Sequence, residues 1–150
     1  MEIKRISPFL SVSPQIQPVH VKKIASLGFR TIINNRPDKE KADQPLAVDL
    51  AVEADRHGLV FVNQWVISGK VTIENSTDFT DELERAEGPV LAFCRSGTRC
   101  TMLWAFSEAR HRDLDAILSL ALSIGYDLKK YREIMEQIAA HGPPLQRGKP

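Results

Sequence analysis

The stretch from residue 94 to residue 100, Cys-Arg-Ser-Gly-Thr-Arg-Cys, constrains the fold of this chain more than any other. A short apolar run, residues 89–93, precedes it, and a run of helical character, residues 101–106, comes after it. This order predicts a strand, a tight loop and a helix. Such a loop lies at the positive end of the helix dipole, where backbone N–H groups have no intrahelical partner. We therefore expect these residues to bind an anion.

The residue types within this loop indicate a reactive thiol. Cys94 comes first, where the helix dipole should stabilise the thiolate and lower its pKa. Gly97 permits a backbone turn that a Cβ would oppose, and Arg99 can hold a tetrahedral oxyanion through two parallel hydrogen bonds. We predict that Cys94 is a nucleophile and Arg99 an anion clamp, rather than an inert core thiol and a surface charge. The predicted oxyanion-binding loop also contains Arg95, Ser96, Gly97, Thr98 and Cys100.

The composition excludes several classes of protein. The chain has 150 residues, enough for one domain with a sizeable core, and its 43% apolar and 26% charged residues are ordinary for a soluble globular protein. A net charge of +1 gives no reason to expect a nucleic-acid or membrane partner. The two cysteines lie within one short stretch, which is not a disulfide framework and suits a reducing compartment.

The same sequence leads to expectations about location, domains and metals. The N-terminus lacks the apolar core of a signal peptide, so we expect a cytoplasmic protein. We expect a single catalytic domain over residues 1–142 and a flexible tail over residues 143–150. The four histidines are scattered, so no metal site is expected, and no motif indicates a cofactor.

Apolar periodicity and turn residues predict alternating strands and helices. We expect strands at residues 3–6, 9–12, 29–34, 59–62 and 89–93, the first two forming a hairpin at a sheet edge. Besides the helix after the loop, we expect helices at residues 19–27 and 45–57, from Thr72 or Asn75 to residue 86, and at residues 114–124 and 128–140. This alternation predicts an α/β fold with a central, mostly parallel sheet of about four to five strands flanked by helices.

Two further expectations concern the sheet. The strand at residues 59–62 is continuously apolar, which is typical of a strand buried on both faces. Ligands of parallel sheets bind beyond the carboxyl ends of the strands. The loops at residues 34–38, 63–70 and 94–100 should therefore meet at one edge.

Three segments carry a resemblance to a known family. They are Asn-Asn-Arg-Pro-Asp at residues 34–38, Ser-Gly-Lys-Val-Thr at residues 68–72 before a helix, and residues 89–99 followed by Leu103 and Trp104. On these motifs, the chain resembles the beta-lactamase hydrolase-like protein, phosphatase-like domain family, over about residues 3–141. The resemblance implies a dual-specificity-phosphatase-like α/β fold, a thiolate nucleophile at Cys94 and an oxyanion-binding arginine at Arg99. It also implies one of two activities, phosphatase-like hydrolysis or rhodanese-like sulfur transfer.

The loop length and the lack of an acid both bear on that choice. A cysteine phosphatase places five residues between its cysteine and arginine to wrap three phosphoryl oxygens. Here four residues separate Cys94 from Arg99, as in the rhodanese-type pattern Cys-Arg-x-Gly-x-Arg, and Cys100 stands where a phosphatase would have its arginine. A phosphatase also protonates its leaving group, and losing that acid costs about 10²–10⁴-fold. Residues 63–70, where the acid is expected, contain no Asp or Glu.

These features favour sulfur transfer. The Cys94 thiolate would take a sulfur atom from thiosulfate or a persulfide and pass it to a thiol acceptor. The alternative is a phosphomonoester hydrolase of protein-tyrosine or dual-specificity type, working through phosphocysteine at Cys94 on a small phosphorylated substrate. A second alternative, from a different class, is a module that binds oxyanions or persulfides without turnover.

Several residues near the loop have two interpretations. Asp38 is either a substitute acid or a turn residue that pairs with Arg36 or caps the segment after it. Asn35 and Arg36 either line the pocket or close the strand before them. Cys100 is either a resolving thiol for Cys94 or a small packed residue in the first turn of the helix.

Overall fold

The computed structural model describes residues 1–141, which form a five-stranded sheet with helices packed against it. The strands are β1 (Lys4–Arg5), β2 (Leu10–Ser13), β3 (Thr31–Asn34), β4 (Val60–Asn63) and β5 (Val90–Phe93). The α-helices are α1 (Val21–Ser26), α2 (Ala47–Arg56), α3 (Ile73–Arg85), α4 (Thr98–Glu108), α5 (Leu114–Ser123) and α6 (Arg132–His141). Short 3₁₀ turns at Pro18–His20 and Lys129–Tyr131 precede α1 and α6. The predicted flexible tail, residues 143–150, lies outside the described residues.

The strand order is β1-β2-β5-β3-β4, with β5 in the centre. The pairs β2–β5, β5–β3 and β3–β4 are parallel, and β1 pairs antiparallel with β2 at the edge. The predicted α/β fold, with its mostly parallel sheet and edge hairpin, is confirmed. Phe93 is in register with both Ser13 and Asn34, and Asn34 is in register with Asn63. The four parallel strands thus end at the same level, and the loops after them begin side by side.

Alternate residues of the central strand enter two separate cores. Val90 and Ala92 of β5 belong to a large core, and Leu91 and Phe93 belong to a smaller one. This is the period-2 geometry of a strand covered on both faces. The smaller core packs against α1 and α2, and the larger core packs against α3 to α6, where Trp104 of α4 is 1% exposed. The loop that contains Cys94 therefore follows the strand whose residues are packed into both cores.

The burial of β4 differs from the expectation. Its apolar sequence predicted a strand buried on both faces, but β4 is an edge strand that pairs only with β3. Val60 is 49% exposed, and Phe61 and Val62 are half-buried. The reason is topological, because a strand with one neighbour receives helix cover over only part of its width.

Polar side chains begin several helices as the sequence predicts. Thr72 accepts a hydrogen bond from the backbone N–H of Asn75, whose side chain accepts one from the backbone N–H of Thr72, each at 3.0 Å. Asp113 likewise caps α5.

The predicted final helix, residues 128–140, is divided. Asp127 accepts from the N–H of Lys129 in a 3₁₀ turn, and α6 begins only at Arg132.

The carboxyl edge of the sheet brings the three predicted loops together. The backbone N–H of Gln64 donates to the carbonyl of Asn34, and that of Val66 donates to the carbonyl of Asn35, each at 2.9 Å. Nη1 of Arg99 donates to the carbonyl of Val66, also at 2.9 Å.

Among residues 1–141, every helix is too short or too polar to span a membrane.

Candidate functional site

The loop between β5 and α4 closes around the sulfur of Cys94. Gly97 is the N-cap of α4 with φ +94° and ψ −8°, a left-handed conformation that favours glycine. This turn directs the backbone N–H of Gly97 at Cys94 Sγ, at 3.1 Å. Cys94 is 1% exposed and lies among apolar residues, yet its sulfur receives a backbone hydrogen bond. The loop thus forms a polar cradle inside the core, as expected for a stabilised thiolate.

The pKa of Cys94 is lowered from 9.0 to about 6. The largest cause is a hydrogen bond from the side chain of Cys100, and the backbone N–H groups of Cys100 and Gly97 and the charge of Arg99 act in the same direction. Burial opposes these effects but does not overcome them. The pKa of Cys100 is raised well above its usual value, first by burial and then by its contact with Cys94. Cys94 is thus mostly a thiolate at neutral pH, and Cys100 remains a protonated donor.

Glu40 anchors the guanidinium of Arg99. Its Oε2 accepts from Nη1 at 2.8 Å and its Oε1 accepts from Nη2 at 2.9 Å. Oε1 also accepts from Nε of Arg36 at 2.9 Å, and Nη1 of Arg36 donates to Oε1 of Gln15 at 2.9 Å. The hydrogen bond with Arg99 is the largest cause of the lowered pKa of Glu40, with burial opposing it. Both arginines are buried, so one ionised carboxylate holds two guanidinium groups in place.

These contacts leave one edge of Arg99 available. A guanidinium has five N–H donors. Both hydrogens of Nη1 are used, by Glu40 and Val66, and one hydrogen of Nη2 is used by Glu40. Within residues 1–141, Nε–H and the second Nη2–H have no hydrogen-bond acceptor. These two donors are parallel and can bind two oxygens of a tetrahedral anion.

A cavity of about 550 Å³ opens beside the loop. Arg95, Ser96, Thr98 and Arg99 of the loop and the first turn of α4, together with Ser68, form its polar part. The rest of the wall is largely apolar and comes from α4, the 3₁₀ turn before α6, α6 itself and the segment before α3, with Met102, Phe106, Tyr131, Ile134 and Val71 among its residues. Arg95 and Arg99 make the polar end positive, and the described lining contains no carboxyl group. An anion with an apolar or aromatic substituent fits this chemistry.

The other predicted pocket residues lie behind the loop rather than in the cavity wall. Asn35 is fully buried and donates through Nδ2 to the carbonyl of Gln64 at 2.9 Å. Asp38 accepts the backbone N–H of Ala47 at 2.9 Å, which helps to begin α2. Arg36 is held by its contacts with Glu40 and Gln15. The three residues brace the loops at the carboxyl edge.

Two residues of the site are absent from the sequence-based prediction. Glu40 lies four positions after Arg36, a spacing that can indicate an ion pair, but its partner Arg99 is 59 positions away. Tyr126 lies beyond α5 and donates its hydroxyl to the carbonyl of Ser96 at 2.9 Å. No local pattern connects Tyr126 with the loop.

Within residues 1–141, no group of three or more His, Cys, Asp or Glu side chains could hold a metal ion.

Comparison with known proteins assigns the chain to a family. The family model described as Beta-lactamase hydrolase-like protein, phosphatase-like domain, matches residues 2–111. The chain belongs to this family. A beta-lactamase hydrolase-like protein from Xylella fastidiosa (strain 9a5c) is 33% identical over 145 residues, which is 95% of this chain and 34% of that relative. This phosphatase-like domain therefore spans about a third of the length of that curated relative.

Solved structures that resemble this phosphatase-like domain are named as phosphatases. A candidate phosphatase from Neisseria meningitidis is 34% identical with a TM-score of 0.85, covering 92% of this chain and 99% of that one. The core catalytic domain of the PP-IP phosphatase SIW14 from S. cerevisiae is 15% identical with a TM-score of 0.68, covering 97% and 96%. The second likeness concerns the fold alone. The predicted family and the cysteine-phosphatase-like fold are both confirmed.

Proposed function

We propose that this domain is a cysteine-dependent phosphatase. The observation that carries the proposal is the pairing, in one loop, of a Cys94 with a pKa of about 6 and an Arg99 that has two parallel donors free. The phosphatase fold supports it. We therefore place phosphate hydrolysis ahead of sulfur transfer, which the sequence favours, because the solved structures described above are named as phosphatases.

The proposed reaction has two steps. The Cys94 thiolate attacks phosphorus in line, an S–P bond forms, and the P–O bond to the leaving group breaks with its electron pair going to that oxygen. Arg99 holds two equatorial oxygens through Nε–H and Nη2–H, while unpaired N–H groups of the loop bind the developing charge. Water then attacks the phosphocysteine, which releases inorganic phosphate and restores the thiolate.

The described cavity wall predicts which substrates react well. No carboxyl group among its described residues can protonate a leaving oxygen, and Asp38 is engaged with the start of α2. A substrate whose leaving group is stable as an anion avoids that requirement. We therefore assign the domain to aryl phosphates and similarly activated phosphates, with the apolar wall around Phe106 and Tyr131 receiving the leaving group.

A series of aryl phosphates tests this proposal. We expect kcat/KM to rise steeply as the pKa of the leaving phenol falls, and alkyl phosphates to react poorly. Cys94→Ser should abolish turnover, and quenched wild-type reactions should contain phosphocysteine at Cys94. Rates that do not depend on the leaving group would contradict the proposed absence of an acid. Activity in Cys94→Ser would contradict the proposal itself.

Sulfur transfer is the second candidate, and the spacing of four residues between Cys94 and Arg99 favours it. The Cys94 thiolate would attack the outer sulfur of thiosulfate, forming an S–S bond as sulfite leaves with its electron pair. A thiolate acceptor would then remove that sulfur and regenerate Cys94. Intact-mass measurement after thiosulfate treatment distinguishes the two functions. A gain of one sulfur atom that requires Cys94 supports transfer, and no gain together with aryl-phosphate hydrolysis excludes it.

The remaining candidate, a module that binds oxyanions without turnover, is excluded by either activity. It would be supported only if wild-type protein bound phosphate or thiosulfate and showed neither reaction. Isothermal titration with inorganic phosphate, run beside the kinetic assays, makes that comparison. Arg99→Ala should weaken binding under all three hypotheses and serves as the control for a specific anion site.

A further inference from the structure

One peptide unit of the loop connects Tyr126 with Cys94. The carbonyl of Ser96 and the N–H of Gly97 belong to the same amide group. The carbonyl accepts the Tyr126 hydroxyl at 2.9 Å, and the N–H donates to Cys94 Sγ at 3.1 Å. Because the two groups of a peptide unit point in opposite directions, a hydrogen bond on one side fixes the direction of the other. We propose that Tyr126 is a positioning residue that aims the Gly97 N–H at the Cys94 sulfur.

The packing around Gly97 agrees with this role. A Cβ at position 97 would overlap the Tyr126 hydroxyl and lie 2.8 Å from the ring carbon Cζ. Gly97 is therefore required both by its φ of +94° and by the ring that lies over it. The Tyr126 side chain thus lies directly against the Cα of Gly97, on the side where a Cβ would project. Tyr126 thus restrains the loop by contact as well as by its hydrogen bond.

The end of α5 fixes the position of Tyr126 itself. Gly125 has φ +106°, and its N–H donates to the carbonyl of Leu122 at 3.0 Å. The N–H of Tyr126 donates to the carbonyl of Ala121 at 2.9 Å. These two bonds form a Schellman cap, which directs the next residue away from the helix axis. The C-terminal cap of α5 therefore sets the position of the Tyr126 hydroxyl. This part of the chain lies outside residues 2–111, which the family model matches.

The hydrogen-bonded chain also strengthens the donor. Accepting a bond at the Ser96 carbonyl polarises the amide and makes its N–H a better donor to an anion. Burial, followed by the nearby charge of Cys94, raises the pKa of Tyr126 to about 12, so the phenol keeps its proton at neutral pH. The other groups that act on the Cys94 titration are Cys100 and Arg99, and neither contact involves the Tyr126 hydroxyl.

Only the benefit of Tyr126 to catalysis rests on the proposed function. Its effect on the ionisation of Cys94 can be measured without an enzymatic assay. The thiolate band of Cys94 in the far ultraviolet, taken as the difference from Cys94→Ser, gives the titration midpoint directly. In Tyr126→Phe, which keeps the ring and removes the hydroxyl, we expect the midpoint to rise by about half to one pH unit. Hydrogen exchange of the Gly97 amide should also become faster.

Ser123→Ala is the matched control. It removes a hydroxyl that donates to a backbone carbonyl of α5, that of Leu120 at 2.6 Å, without reaching the loop. Its midpoint and Gly97 exchange should equal those of the wild type. If Tyr126→Phe leaves both quantities unchanged, or if Ser123→Ala shifts them equally, the proposal is overturned. A lack of phosphatase activity in the wild type would instead count against the proposed function alone.

Discussion

Glu40 holds Arg99 at two points, with Oε2 at 2.8 Å from Nη1 and Oε1 at 2.9 Å from Nη2. The two residues are 59 positions apart in the sequence and meet because β3 and β5 are neighbours in the sheet. The carboxylate uses one end of the guanidinium and leaves the Nε edge open. Arg36 shares the same carboxylate, so the surroundings of Cys94 keep a positive charge.

Glu40→Gln should reduce stability and activity together. The amide is neutral, and its NH₂ group replaces one of the carboxylate oxygens that accept from the guanidinium of Arg99. Two buried arginines thus lose their charged partner. We expect the free energy of unfolding in urea to fall by about 1–3 kcal/mol, and kcat/KM for an aryl phosphate to fall tenfold or more as Arg99 loses its orientation. Glu82→Gln, which breaks an ion pair with the exposed side chain of Arg85, should change stability far less, because solvent screens an exposed pair. Equal losses in the two variants would contradict the assigned role of Glu40.

The Glu40 contact also predicts a dependence of stability on pH. Arg99 lowers the pKa of Glu40 in the folded state below 4.5. The folded protein thus prefers the ionised carboxylate, and the resulting stabilisation is present above pH 4.5 and lost as the pH falls through the lowered pKa. Urea unfolding at a series of pH values should show the difference between wild type and Glu40→Gln shrinking in acid. A difference that stays constant down to the acid limit would contradict this account.

Arg99→Lys tests whether the shape of the guanidinium matters beyond its charge. Lysine keeps the positive charge but cannot bind Glu40, Val66 and a substrate oxyanion with a planar fork. We expect kcat/KM to fall by about 10²–10³-fold. In the same assay, Arg95→Lys should lose less than about tenfold, because Arg95 is exposed at the cavity and its charge is retained. Near-wild-type rates for Arg99→Lys would show that point charge alone suffices.

Cys100 should control the ionisation of Cys94. Its side chain is the largest cause of the lowered Cys94 pKa, so Cys100→Ala should move the thiolate midpoint from about 6 to a higher pH. The acidic limb of the kcat/KM profile should move in the same direction, since the thiolate is the reactive form. Cys100→Ser retains a donor of similar size and should restore part of the shift. If the alanine and serine variants titrate alike, packing rather than hydrogen bonding explains the effect.

Much of the fold could be predicted from the sequence because its signals are local. The strand, loop and helix around Cys94, the hairpin before residue 13, and the caps at Thr72 and Asp113 each depend on neighbours within a few positions. The exposed edge of β4 could not be predicted, since apolar residues alone do not say whether a strand has one neighbour or two. The division of the last helix depended on a tight turn whose residues also suit an α-helix.

The sequence by itself determined that a cysteine and an arginine share one short loop at a helix N-terminus, because backbone geometry and the helix dipole act over a few residues. Only the tertiary structure decided what surrounds that loop. Glu40 and Tyr126 reach it from 59 and 30 positions away, and their contacts result from the strand order and from the path of the chain after α5. Such contacts depend on which elements become neighbours in the fold, and a local sequence pattern does not contain that information.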